Sequence, residues 1–283
     1  MTAPLPAVDL PRPVTSAGTG RLQRPPFALR GYYLVLVALL YLPIGVLFLF
    51  SVHDNSSLSF PLRGLTTEWY ERVLGSDALL RSVRNSVLVA VVSSLVATLL
   101  GTAVALLGVR FEFRTKRLLL GLAVLPLIVP FVVLGVALLI LFRALDVDLS
   151  LATIGVAHTI VALPYTLLIV GARLIGFERR LEEAAMDLGA SYPQTLRLIV
   201  LPLIAPAMVS AWLTAVTVSF DEFALALFLS GNERTFPVYL FGQLRFATTL
   251  PVLIAMAVLL MAASIAIILV ADRIRRLGMD EAS

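Results

Sequence analysis

The sequence predicts an all-α polytopic membrane protein with six transmembrane helices. Three observations lead there. Apolar residues fill 59% of the 283 positions and charged residues only 14%, whereas a water-soluble domain holds roughly 45–50% and 25%. The mean hydropathy is +0.97, so lipid is the solvent this surface suits. The apolar residues also gather into long runs, and about 20 such residues in a helix cross a bilayer.

The runs are Tyr32–Val52, Ser86–Val109, Leu118–Phe142, Leu149–Leu174, Leu198–Leu229 and Ala247–Ala271. Residues 1–31, rich in Pro, Thr and Gly, read as a flexible tail, 32–271 as the membrane domain and 272–283 as a second tail. The first run starts late, is long enough to span and lacks a small-x-small exit, so it reads as an uncleaved helix. Between the first two spans, Thr66–Val83, with Leu65 just before it, carries Trp69, Val73 and Leu80 among charges. That pattern predicts a short amphipathic helix at the outer surface, as an interfacial anchor or a contact for an external partner. In the second span Ser93, Ala97, Gly101 and Ala105 recur every four residues, a stripe that lets another helix approach closely. Pro126 and Pro130 are expected to kink the third span. His158, Tyr165 and Trp212 read as packing residues within the fourth and fifth spans, with a proton relay and a cavity lining as the alternatives. Pro202 and Pro206 are expected to kink the start of the fifth.

Orientation follows from Lys and Arg in the connecting segments. With the N-terminus inside, Arg12, Arg21, Arg24, Arg30, Arg110, Arg114, Lys116, Arg117, Arg173, Arg179, Arg180, Arg197, Arg273, Arg275 and Arg276 are cytoplasmic. They make up 15 of the 22 cations. Six spans then bring both termini to the cytoplasm.

Composition also excludes function classes. The chain has no cysteine and only two histidines, His53 and His158, so thiolate metal sites, disulfides and a zinc or haem centre are set aside. A pI near 9.8 with a net charge of only +4 and dispersed basic residues reflects positive loops, not nucleic-acid binding. Lys116 is the one lysine and Arg117 follows it, so the phosphate-binding G-x-x-x-x-G-K-[ST] loop is absent. If ATP is used, another subunit binds it. No catalytic constellation is evident.

The loop between the fourth and fifth spans is the most informative. Leu181, Ala184, Ala185 and Leu188 fall at i, i+3, i+4 and i+7, one face of a helix over about 178–190 whose other face is charged. Gly189 stands where a helix end takes a left-handed residue. Ser191 and Gln194 then form a capping box for the next helix. Two alanines on the apolar face leave room for something bulky to pack against it.

Glu183-Ala184-Ala185, Gly189 after three residues, and Ile199-x-Leu201-Pro202 after nine more resemble the EAA loop of ATP-binding-cassette importer permeases. The resemblance covers about residues 30–275 and implies the type I importer permease fold in a bacterial cytoplasmic membrane. It also implies that the loop is a coupling helix seated on a separate ATPase subunit. Glu183 would make a polar contact there, Leu181, Ala184, Ala185 and Leu188 would present the docking face, and Gly189 would form the turn. The implied partners are two ATPase subunits carrying ATP and magnesium, a homologous second permease and an extracytoplasmic binding protein. No cofactor is implied for this chain.

Ser219-Phe220-Asp221-Glu222-Phe223 and Thr235-Phe236-Pro237-Val238-Tyr239 look like the second permease of spermidine/putrescine-type importers. Permeases for iron, thiamine, phosphonates or sugars remain alternatives. Asp221 and Glu222 are the acidic residues inside a predicted span, and such groups are costly at membrane depth and usually face a cavity. The run Leu198–Leu229 is too long for one crossing, so a break near Ser219–Glu222 is expected. In a regular helix only one of two adjacent carboxylates would face the pathway. Beside Phe220, Phe223 and Phe228, a carboxylate suits an organic cation. The alternative is pairing with an arginine such as Arg245. A different class, an ion-coupled transporter or channel using Asp221 and Glu222, lacks an inverted-repeat signal.

Overall fold

The computed structural model describes residues 27–54, 64–176 and 179–280. Residues 1–26 of the first tail (1–31) therefore lie outside the described residues, as do residues 177 and 178 of the loop and 281–283. Twelve α-helices follow in order among the described residues: α1 Phe27–Ser51, α2 Glu68–Leu74, α3 Asp77–Arg110, α4 Lys116–Val124, α5 Phe131–Ala144, α6 Leu151–Ile175, α7 Arg180–Asp187, α8 Tyr192–Thr195, α9 Leu201–Asp221, α10 Ala224–Leu229, α11 Phe236–Gln243 and α12 Leu250–Asp280. Among the described residues, five helices are long and apolar enough to cross a membrane, and six do so if one bent pair counts as a single span.

α1 up to Leu49 falls in a unit separate from the rest of the chain. It begins at Phe27, inside the segment read as tail, and holds Pro43.

The remaining helices build around α3, α6 and α9. α3 spans 34 residues, about 51 Å at 1.5 Å per residue, and starts nine residues before the predicted span. Hydropathy marks the part of a helix that suits lipid, whereas the helix itself runs back to Ser76, whose Oγ accepts the Leu79 N–H at 3.4 Å. The small-residue stripe faces inward: Ser93, Ala97, Gly101 and Ala105 are all buried. Thr166 of α6 sits over Gly101 so closely that a Cβ there would lie 1.9 Å from its Oγ1, and that hydroxyl donates to the Ala97 carbonyl at 2.8 Å. Ala97, Ala162 and Ala215, each fully buried, close the three-helix junction.

The third span departs from the expected single kinked helix. α4 runs through a 3₁₀ turn at Leu125–Leu127, and α5 leaves at 109° to it. Pro130 drives the residue before it out of the helical region and supplies no N–H, so the two prolines break the segment instead of bending it.

The amphipathic segment after α1 is also divided. It ends at Leu74, and Gly75–Ser76 separates it from α3. Trp69 and Val73 are buried against Leu253 and Met256 of α12, and the Trp69 indole N–H donates to the His53 carbonyl at 2.7 Å. Leu65, Leu74 and Leu80 remain exposed. The inward side of this helix thus covers α12. Downstream, the Phe236 N–H at the start of α11 donates to Ser86 Oγ at 2.8 Å. Asn85 Nδ2 donates to Glu233 Oε2 at 2.7 Å, tying this loop to α3.

The fifth span starts with a wide turn. Leu196–Val200 is π-helical and the Leu201 N–H bonds the Leu196 carbonyl. Pro202 has no N–H for the carbonyl of Leu198, and this one-residue shift in the ladder falls just before it. α12 continues beyond the predicted end of the sixth span to Asp280.

Gly101→Val is expected to cost more than the usual 1–3 kcal/mol of an overpacked core, because the nearest atoms include the Leu167 backbone nitrogen at 3.0 Å. The yield of monodisperse detergent-extracted protein should collapse. Gly121→Ala, where a Cβ meets nothing within 4 Å, should leave it unchanged.

Candidate functional site

Two constellations stand out, the loop carrying α7 and the break that ends α9. The loop folds as its residue types require. Gly189 adopts φ +91°, a conformation that a Cβ disfavours. Its N–H donates to the Met186 carbonyl at 2.9 Å, and the Ala190 N–H donates to the Ala185 carbonyl at 3.0 Å. These paired bonds form a Schellman motif, which ends α7 sharply and satisfies its free carbonyls. Ser191 and Gln194 complete the expected capping box, with the Ser191 N–H donating to Gln194 Oε1 at 2.8 Å.

The candidate docking residues lie outside the fold's own packing. Leu188 is 90% exposed and Leu181 49%. Glu183 and Ala184 are exposed, and Ala185 is half-buried. In contrast Glu182 is buried, and its Oε1 lies 2.5 Å from Arg110 Nη2 at the end of α3. Sequence reasoning passed over Glu182 because its partner is 72 residues away, and nothing local distinguishes it from Glu183.

The break near Ser219–Glu222 occurs where expected. α9 ends at Asp221, and Glu222 is extended at φ −72°, ψ 120°. The two neighbouring carboxylates separate there. Glu222 is buried and its Oε2 accepts the Leu225 N–H at 3.0 Å, capping the short α10. Asp221 is exposed. Neither forms an ion pair among the described residues, and Arg245 instead lies over the Phe246 ring, 5.0 Å from its centroid.

The aromatic residues do not gather around Asp221. Phe223 packs on Phe241 with centroids 4.9 Å apart, and Phe228 packs against α5 at Gly135. Phe220 is half-buried beside the break. The helix interruption explains the dispersal, since it turns Phe223 and Phe228 away from the face of α9 that carries Asp221.

A buried polar chain holds the α9 side of the break. His158 Nδ1 and Ser219 Oγ are 2.7 Å apart, and Ser219 Oγ lies 3.1 Å from Ser93 Oγ. His158 therefore packs as a hydrogen-bonded residue. Upstream on α9, Ser210, Thr214 and Thr217 are spaced four and three residues apart, and Asp221 follows four later. All three hydroxyls donate to their own helix, to the carbonyls of Pro206, Ser210 and Leu213 at 2.9, 2.9 and 3.0 Å. This polar stripe was legible as a helical period but was masked by the apolar average of the span.

Comparison with known proteins follows the same lines. Residues 97–277 match the family model described as binding-protein-dependent transport system inner membrane component. The spermidine/putrescine transport system permease protein PotC of Haemophilus influenzae is 34% identical over 252 residues, 88% of this chain and 97% of that protein. The putrescine transport system permease protein PotI of Escherichia coli is 35% identical over 232 residues, 79% of this chain and 82% of that one. A chain in the crystal structure of a bacterial ABC transporter involved in the import of the acidic polysaccharide alginate superposes with a TM-score of 0.66. The match covers 87% of this chain and 95% of that one at 17% identity, a likeness of fold. With over half of its length matched by the family model, and with relatives above 30% identity across most of the sequence, this chain belongs to the binding-protein-dependent transport system inner membrane components.

Proposed function

We propose that this chain is a permease subunit of an ATP-driven importer for polyamines, and that α7 is the element through which the ATPase acts on it. The observation that carries the reading is the exposed α7 face. Leu181, Ala184 and Leu188 are solvent-facing on a short helix whose exit is fixed by a Schellman turn. An apolar face on a rigidly aimed helix suits a groove in a second protein. The ATPase subunits would carry ATP and magnesium, since this chain has no phosphate-binding loop. A homologous second permease and an extracytoplasmic binding protein complete the assembly. The excess of Lys and Arg in the tails and in the loops holding Arg114 and Arg180 supports cytoplasmic termini and a cytoplasmic α7.

The substrate class rests on the relatives named for spermidine and putrescine and on the chemistry of α9. Polyamines are flexible cations rich in N–H donors. Asp221 offers an exposed carboxylate. Ser210, Thr214 and Thr217 have already donated their hydroxyl protons to the helix, so they present oxygen lone pairs as acceptors. A stripe with acceptors and one negative charge can pass an ammonium along without holding it. Glu222, committed to capping α10, supports the pathway's shape and is not offered to the cation.

Uptake into vesicles holding the assembled complex and its binding protein tests this reading. Putrescine and spermidine should accumulate only with ATP, and iron, thiamine, a phosphonate and a sugar should not. ATP-dependent uptake of one of those instead would discard the polyamine assignment. Glu183→Lys should remain in the membrane yet lower ATPase co-purification and uptake by at least about tenfold, the scale of a reversed charge at an interface. Asp221→Asn should lower uptake by about tenfold or more while the ATPase still co-purifies. Unchanged uptake in that variant would remove the carboxylate from the pathway.

A further inference from the structure

The α7 helix is largely exposed, yet one of its carboxylates is buried against an element far away in the chain. Glu182 and Arg110 pair with side chains only 6% and 8% exposed. Arg110 is the last residue of α3. On the far side of the Gly189 turn, Tyr192 of α8 meets Phe111, the next residue after Arg110, edge to face with centroids 5.7 Å apart and planes at 76°. The end of α3 is thus gripped from both sides of the turn. A buried ion pair adds little net stability over an apolar pair, but it demands one geometry and is costly to leave half-made. Its value here is to fix where α7 sits on α3.

We propose that Arg110 and Glu182 are positioning residues that pass the movement of α7 to α3, so that the loop and the three-helix core shift as one body. The inference rests on α7 being the ATPase docking element. α3 is a suitable lever. Seventeen residues from Arg110, about 26 Å along the helix, Ser93 meets Ser219 Oγ at 3.1 Å, two residues before the break at Asp221. Between these points Gly101 and Ala97 lock α3 onto α6. A displacement at the ion pair therefore reaches the broken segment of α9 through tightly packed contacts.

The test uses the whole complex and the combined substitutions Arg110→Cys and Glu182→Cys, which leave no orphan charge. This chain has no cysteine of its own, and cysteine-free partner subunits complete the assembly. ATPase co-purification, ATP hydrolysis and uptake are measured before and after bridging the two thiols with a short bismaleimide. Before bridging, substrate moved per ATP hydrolysed should fall about tenfold, within the range of coupling mutations, while the ATPase still co-purifies. Bridging should restore most of it. An unchanged ratio before bridging overturns the proposal, as does a bridged form no better than the unbridged one, or thiols that the reagent cannot span. Absence of the ATPase from the unsubstituted complex would instead defeat the docking reading itself and the strut with it.

Discussion

The spacing of the core is set by a side chain that is absent. At Gly101 the backbone of α3 comes so near α6 that Thr166 Oγ1 occupies the place of a Cβ and bonds the Ala97 carbonyl. Helices surrounded by lipid gain little from the hydrophobic effect on meeting each other, so close packing and interhelical hydrogen bonds decide association. Both operate along one line of α3. Ser93, Ala97 and Gly101 bring in α6 and α9, and Thr159 Oγ1 adds a bond to the Ser93 carbonyl at 3.3 Å. The polar chain from Ser93 through Ser219 to His158 is reachable only because the helices are already that close.

On this tightly packed support, irregular backbone becomes affordable. Free N–H and C=O groups are costly in lipid, and each interruption here has a local cause or remedy. The break after Asp221 is capped by the Glu222 carboxylate. The wide turn at Leu196–Val200 falls just before Pro202, which has no N–H to give. The 109° corner between α4 and α5 falls where Pro126 and Pro130 would each interrupt the ladder. The result is a span that delivers an exposed carboxylate at its end, beside a row of hydroxyls already satisfied by their own helix. The carboxylate proposed for the pathway thus sits where the helix is least regular, as in membrane transport folds generally.

The α7 loop follows the opposite logic. Its local structure is nearly self-sufficient, with a Schellman turn at one end and a capping box just beyond. One side chain ties it sideways to α3, and its apolar side is left uncovered. A helix of eight residues is too short to persist alone, so the ion pair and the turn together are what present this face in a fixed direction.

Much of this was written in the chain's local pattern. Apolar run length predicted the spans, the four-residue recurrence from Ser93 to Ala105 predicted the close helix contact, and Gly189 with Ser191 and Gln194 predicted the turn and cap, because each depends on residues a few positions apart. The over-long fifth run similarly predicted a break near Ser219–Glu222. Tertiary structure alone decided that Glu182 pairs with Arg110 while Glu183 stays exposed, that Glu222 turns inward while Asp221 does not, and that Trp69 covers α12. Those outcomes depend on which backbone, charge or apolar surface arrives from a distant segment, and neighbouring residues of the same chemical type are told apart only by what meets them in space.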